Sequence, residues 1–146
     1  MPLEVHRIEY FYATAHDEAG AGYQLLSILK KIGVNLLAFS AVPVGPIHVQ
    51  LALFPDDPPK LQSEARKAGL ALDGPHPALL VRGDDDLGAL ASIHEKLSDA
   101  GLNIYAANGI TDGRGGFSYL VYLKLGDLET AMRVLKADPP NRPQRT

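Results

Sequence analysis

The chain contains no cysteine and no tryptophan. Without cysteine it forms no disulfide, offers no thiolate nucleophile and cannot build a cysteine-held zinc site or iron–sulfur cluster. No apolar run approaches the roughly 18 residues that a membrane helix requires. A basic excess is missing too: 14 Lys and Arg face 17 Asp and Glu, for a formal charge of −3. Proteins that hold nucleic acid through its phosphates carry the opposite balance. The first residues, Met1-Pro2-Leu3-Glu4-Val5-His6-Arg7, lack the basic-then-apolar layout of a secretory leader. The expectation is a cytosolic protein whose partners include neither membrane nor nucleic acid.

What is present is the make-up of a folded protein, with 46% hydrophobic and 21% charged residues over 146 positions. The chain also repeats itself. Asp17-Glu18-Ala19-Gly20 opens a helical pattern that ends at Gly33-Val34-Asn35-Leu36. Sixty-eight positions on, Asp85-Asp86-Leu87-Gly88 opens another that ends at Gly101-Leu102-Asn103-Ile104. The same offset aligns Leu25 with Ile93 and Leu29 with Leu97. Shared glycines, polar residues and apolar positions in one register indicate a duplication.

Each copy reads as a short α+β unit. Val5 to Thr14 is rich in aromatic and β-branched residues, as a strand is. Leu25, Leu29 and Ile32 make a stripe at helical spacing, stopped by Gly33. Leu36–Val44 and Ile47–Phe54 read as strands around Gly45-Pro46. A helix opens at Pro58-Pro59 and runs to Ala68. Leu70–Leu72 reads as a brief last strand, closed by Asp73-Gly74-Pro75. The second copy repeats the order with strand Ala78–Arg82, helix Leu87–Ala100, strands Ile104–Ile110 and Phe117–Leu125, and helix Leu128–Ala137. Its final strand has no counterpart, because residues 138–146 form a polar, proline-rich tail expected to be flexible. Two units are thus expected, at 1–74 and 75–137. Each has the order βαββα(β), which gives antiparallel sheets with helices on one face in the ferredoxin-like arrangement.

The pattern Asp-x-x-Gly, an amphipathic helix and then Gly-[Val/Leu]-Asn-[Leu/Ile] resembles the ACT domain. The resemblance covers both copies. It implies regulatory modules that bind amino acids and pair side by side, with ligand at the seam between the two repeats. The layout is similar to the glycine-cleavage-system repressor group. The resemblance also implies a homo-oligomer or a regulated protein partner, and no enzyme activity. The chain departs from the family's pattern at Ala19 and Leu87, where proline is frequent, and at Gly22, where leucine is usual.

Physical chemistry gives these residues a use. A helix start offers unpaired N–H groups and a positive dipole end to a carboxylate. Gly20, Gly22 and Gly88, with Ala21 and Ala89, leave room for a ligand to approach that backbone. Asn35 and Asn103 carry donors and acceptors suited to a zwitterion. Asp17 and Asp85 would face an ammonium group. Each also has a plainer reading: the aspartates as helix caps, the asparagines as strand-start hydrogen bonders. The candidate ligand residues are therefore Asp17, Gly20, Ala21, Gly22, Asn35, Asp85, Gly88, Ala89 and Asn103, the ligand bridging the helix-start loop of one half and the strand start of the other. Leu26 and Ile28 fall off the main stripe, where the second copy has His94 and Lys96. They mark either a self-association surface or a contact beneath a loop.

Other chemistries fit less well. The five histidines show no metal-ligand spacing, although His6 and His48 would meet if their strands paired. No cofactor motif or nucleophile elbow is present. Arg114-Gly115-Gly116-Phe117-Ser118-Tyr119 echoes an RNA-recognition sequence, yet Ser118 stands where an apolar residue belongs and the net charge is wrong. The helix-start loop from His16 to Gly22 has no arginine to hold a phosphate, which argues against acylphosphatase-like catalysis. The remaining competitor is an interaction subunit of an enzyme or transcriptional regulator, with no ligand of its own.

Overall fold

The computed structural model describes residues 3–136, so the expected tail lies outside the described residues. The elements in order are β1 (Glu4–His16), α1 (Ala21–Lys31), β2 (Leu36–Val44), β3 (His48–Pro55), α2 (Pro58–Lys67), β4 (Asp73–Asp84), α3 (Ala89–Asp99), β5 (Ala106–Thr111), β6 (Gly116–Tyr122) and α4 (Leu128–Lys136). A 3-10 turn, Leu125–Asp127, precedes α4. Two units emerge: Glu9–His76, and residues 3–8 together with 77–136. The division falls inside β1 and β4.

In the unit Glu9–His76 the strand order is β2-β3-β1, all antiparallel, with the start of β4 beside β1. Phe11 stands opposite Leu53. Because side chains alternate along a strand, Phe11, Ala13, Leu51 and Leu53 share the helix-facing side. They bury against Leu25 and Leu29 of α1 and against Leu61 and Ala65 of α2. Each pair lies four apart, one turn along its helix. Full burial of such a side chain is worth about 1.5–3 kcal/mol, so these contacts rather than helix propensity hold both helices. The side chain of Asp57 starts α2 by accepting the Lys60 N–H at 3.2 Å, ahead of Pro58 and Pro59. On the sheet's other side, Tyr10 packs on Phe54, Tyr12 and His76, with ring centroids 5.1–5.4 Å apart.

The strand expected at Leu70–Leu72 does not form. Leu70 instead donates its N–H to the Ala65 carbonyl at 2.9 Å, and Leu70 and Leu72 pack on the core from a loop. The strand begins at Asp73, in the stretch that reads as a turn. Gly74 accounts for this. A Cβ there would stand 2.8 Å from the Phe11 ring and 2.9 Å from the Tyr10 carbonyl oxygen, so only glycine lets the chain lie this close to β1.

The second unit has the order β5-β6-β4, antiparallel, and the start of β1 lies beside β4. Its core holds Leu79, Val81, Ile93, Leu97, Tyr119, Val121, Leu128 and Leu135. Val5 is buried in the same cluster. Residues 4–8 of β1 therefore occupy the place of the last strand, for which the sequence after α4 offers no candidate. Both units are α+β and ferredoxin-like: residues 73–76 lie beside β1 in one, and residues 4–8 lie beside β4 in the other.

The duplication holds at the level of individual hydrogen bonds. Asp17 N–H donates to Ile47 O and Asp85 N–H to Gly115 O, each at 2.8 Å. Gln24 to Gly20 and Ser92 to Gly88 close the first helical turns, each at 2.9 Å. Phe11 opposite Leu53 recurs as Leu79 opposite Val121. Every one of these pairs obeys the same sixty-eight-residue offset.

Candidate ligand cleft at a helix start

Both helix-start loops end in a glycine with left-handed backbone, Gly20 at φ 90° and Gly88 at φ 81°. These glycines are the N-caps, and no side chain caps either helix. The capping reading of Asp17 and Asp85 is therefore overturned. Their main-chain N–H groups are tied to the β2–β3 and β5–β6 turns instead, while both residues remain exposed. A left-handed conformation costs a non-glycine residue about 1–2 kcal/mol, which explains why glycine stands at both positions.

At the second loop this geometry opens a cleft of about 430 Å³. Asp85, Asp86, Gly88, Ala89, Leu90 and Ala91 form one wall, at the start of α3. Residues of β5 and β6 form the other: Gly109, Ile110, Thr111, Phe117, Ser118 and Tyr119. Thr111 is paired with Phe117 and Gly109 with Tyr119 across the two strands. Phe117 and Tyr119 belong to the helix-facing core, so by alternation Thr111 and Gly109 look the same way, toward α3. Ile110 and Ser118 direct their side chains to the opposite face. Ala89 donates its N–H to the Asp86 carbonyl, but the N–H groups of Leu90 and Ala91 have no intrahelical acceptor. The residues that line the cleft thus bring together a helix start, the acidic Asp85 and Asp86, the hydroxyl-bearing Thr111 and Tyr119, and the apolar Leu90 and Phe117.

Tyr119 is 8% exposed and fixed on two sides. Its hydroxyl lies 2.7 Å from Nε2 of His94, on the second turn of α3. Its ring lies over Gly109, where a Cβ would come within 2.8 Å. Next to Thr111 in the chain, Asp112 closes the β5–β6 turn by accepting N–H bonds from Arg114 at 2.6 Å and Gly116 at 3.1 Å. These bonds hold its carboxyl below the usual aspartate range.

The remaining predicted residues are placed elsewhere. Asn35 lines a groove of about 410 Å³ with Leu26, Lys30 and Gly33, at the C-terminal end of α1. An 11-residue helix is roughly 16 Å long, so Asn35 stands well away from Asp17, Gly20, Ala21 and Gly22. Asn103 is exposed and does not line the cleft that Asp85, Gly88 and Ala89 share. His48 pairs with His16, ring centroids 5.0 Å apart, rather than with His6. Among the described residues no group of three His, Asp or Glu is placed to hold a metal ion, and no helix is long and apolar enough to cross a membrane.

Comparison with solved structures matches this architecture. Protein BT0572 from Bacteroides thetaiotaomicron is 17% identical, with a TM-score of 0.77 over 90% of this chain and 88% of that one. The ligand-free regulatory subunit of aspartate kinase from Thermus thermophilus is 14% identical, with a TM-score of 0.63 over 92% and 95%. An aspartokinase with alpha and beta subunits is 18% identical, with a TM-score of 0.58 over 92% and 95%. The chain has the tandem ACT-type fold. No family model and no curated protein matches the sequence.

Within the two ACT-type repeats, sequence reasoning found the helix-start half of the cleft and missed the strand half. Thr111, Phe117, Tyr119 and His94 belong to no motif of the family. The repeat offset itself was the available signal. It sets His94 against Leu26 and Tyr119 against Leu51, polar residues where the first repeat is apolar.

Proposed function

We propose that this chain is a regulatory, non-catalytic protein that binds a free amino acid, and that the helix-start cleft of the second repeat receives it. The observation that carries the reading is the convergence, in one 430 Å³ space, of groups complementary to each part of a zwitterion. The carboxylate takes the free N–H groups of Leu90 and Ala91, helped by the helix dipole. The ammonium faces Asp85 and Asp86. The side chain enters between Phe117, Thr111 and Tyr119. Charge-assisted bonds of this kind are worth about 1.5–3 kcal/mol each, enough together for a metabolite sensor. The fold shared with regulatory subunits of aspartate kinase supports a regulatory role. Gly20, Ala21 and Gly22 at the first repeat's helix start, with Asp17, would serve a second ligand of different shape.

Thermal-shift and calorimetric titration against the common amino acids tests this. The expected result is a rise in melting temperature specific to one chemical class, weakened about tenfold or more by Asp85→Asn combined with Asp86→Asn. If no amino acid shifts the transition, the sensor reading fails.

A second reading, an interaction subunit, draws on β2. This edge strand and its turn expose Leu37, Phe39, Val42, Val44 and Ile47, each 39–57% accessible. Apolar exposure on an unpaired edge favours association. Sedimentation of the wild-type chain beside Phe39→Lys would show a mass difference if β2 joins two copies, and none if it does not.

A further inference from the structure

We propose that the second repeat's cleft selects ligands with a hydrogen-bonding side chain, and that Tyr119, positioned by His94, reads that group. The inference rests on the amino-acid reading above and adds the ligand class and the residue that decides it.

Three differences between the repeats occur at positions that touch one another. His94 replaces Leu26, Tyr119 replaces Leu51 and Gly109 replaces Ala41. In the first repeat Ala41 and Leu51 are cross-strand partners, and Leu51 is buried in the core with Leu25 and Leu29 of α1. In the second, the same positions are Gly109 and Tyr119. The missing methyl is required, because a Cβ on Gly109 would stand 2.8 Å from Tyr119 Cδ1. The space vacated by that methyl seats the phenol ring, and His94 then meets its hydroxyl at 2.7 Å. The result is an oriented polar atom in a wall whose other core residues are apolar.

A buried hydroxyl needs partners, and one tyrosine oxygen has both a donor and acceptor capacity. His94 uses one of these. Whichever role its ring nitrogen takes, the phenol keeps the complementary one for whatever fills the cleft. A hydroxyl or amide on the ligand satisfies it, while a methyl in the same place leaves it desolvated and unpaired. That asymmetry is what lets a polar pocket reject an isosteric apolar ligand. Thr111, on the same side of β5, adds a second hydroxyl for a ligand group to reach. The ligand class is therefore an amino acid with a hydroxyl or carboxamide side chain. Tyr119 is a binding residue and His94 a positioning residue.

The test uses the full-length chain and isosteric pairs: threonine against valine, asparagine against leucine, serine against 2-aminobutyrate. Calorimetry on the wild-type protein is expected to show tighter binding of a polar member over its apolar partner. Tyr119→Phe keeps the ring over Gly109 and removes the hydroxyl. It should weaken the polar ligand about 10- to 100-fold and leave the apolar one nearly unchanged. His94→Ala should give a smaller loss in the same direction, and His94→Gln, which restores a hydrogen-bonding group, should recover part of it. A purely structural role for His94 would lower the melting temperature without changing the ratio between the paired ligands. If the wild-type chain binds amino acids but Tyr119→Phe keeps the affinity and the preference, this inference is overturned and the sensor reading stands. If the wild-type chain binds none of them, both fall together.

Discussion

At three equivalent positions of helix and hairpin, the first repeat has Leu26, Ala41 and Leu51; the second has His94, Gly109 and Tyr119. The backbones around these residues match turn for turn, down to the left-handed glycines and the bond that ties each loop to its hairpin. One fold therefore carries two chemistries. In the first repeat only Leu51 of the three enters the hydrophobic core, while Leu26 and Ala41 are exposed. In the second, a pair of polar side chains stands beside an open cleft. The hairpins diverge as well: Asp112 gathers two N–H groups in the second repeat, where the first has Val44. Duplication preserves what the backbone needs and leaves side chains around the cleft to differ.

The comparison breaks most severely at its shared base. Phe11 and Leu79 occupy equivalent positions, each no more than 1% exposed. Phe11→Ala should cost about 3–5 kcal/mol and Leu79→Ala about 2–5 kcal/mol. Urea denaturation followed by hydrogen exchange checks whether each change lowers protection mainly in its own unit.

Next in size is a change that acts on one repeat only. Gly109→Ala forces the Tyr119 ring away from its seat, at a cost of about 1–3 kcal/mol. It should also lower ligand affinity. Ala41→Gly, the mirror change in the first repeat, removes no such contact and should alter stability by well under half as much. Equal losses from the two would mean that Tyr119 does not depend on the absent methyl.

Gly20→Ala and Gly88→Ala sharpen the likeness instead of breaking it. Both put a side chain on a left-handed N-cap with open space around it, so both should lose about 1–2 kcal/mol from backbone strain alone. Melting temperatures of the two variants should agree.

The smallest effect is also the most conditional. Asp112 has a carboxyl held below its ordinary range by N–H donors from Arg114 and Gly116. Its contribution is therefore present above the unfolded-state aspartate pKa and is lost as pH falls through the lower folded value. Asp112→Ala should be less stable than wild type near neutrality, and the gap should close in strong acid. The carboxyl is fully exposed, so the difference is small and best read from paired urea midpoints. A gap that widens on acidification would mean that the carboxylate does not stabilise the turn.

How much was legible in advance depended on distance along the chain. The helices α1 and α3 announce themselves through Leu25 and Leu29, or Ile93 and Leu97, because four-residue spacing is a local property. The glycine stops are equally local. Gly74 was misread as part of a closing turn, because its use lies in the approach to Phe11, sixty-three residues earlier. The second repeat has no strand after α4 among the described residues, as expected, but the segment that takes its place was not foreseen, since Val5 precedes Leu79 by 74 positions. Asp17 and Asp85 looked like caps because aspartate commonly is one, yet the left-handed glycines left the capping position to themselves.

By itself, the sequence determined that two equivalent α+β units exist, which residues face their cores and where α1 and α3 stop. Those are consequences of periodicity and of what glycine alone permits, and both are written in neighbouring residues. Tertiary structure alone decided which strand completes the second unit, that Asn35 stands apart from its repeat's helix start, and that Tyr119 and His94 meet beside a cleft. These depend on cross-strand register and on the path of the chain through space, where a single methyl at position 109 settles whether a ring fits.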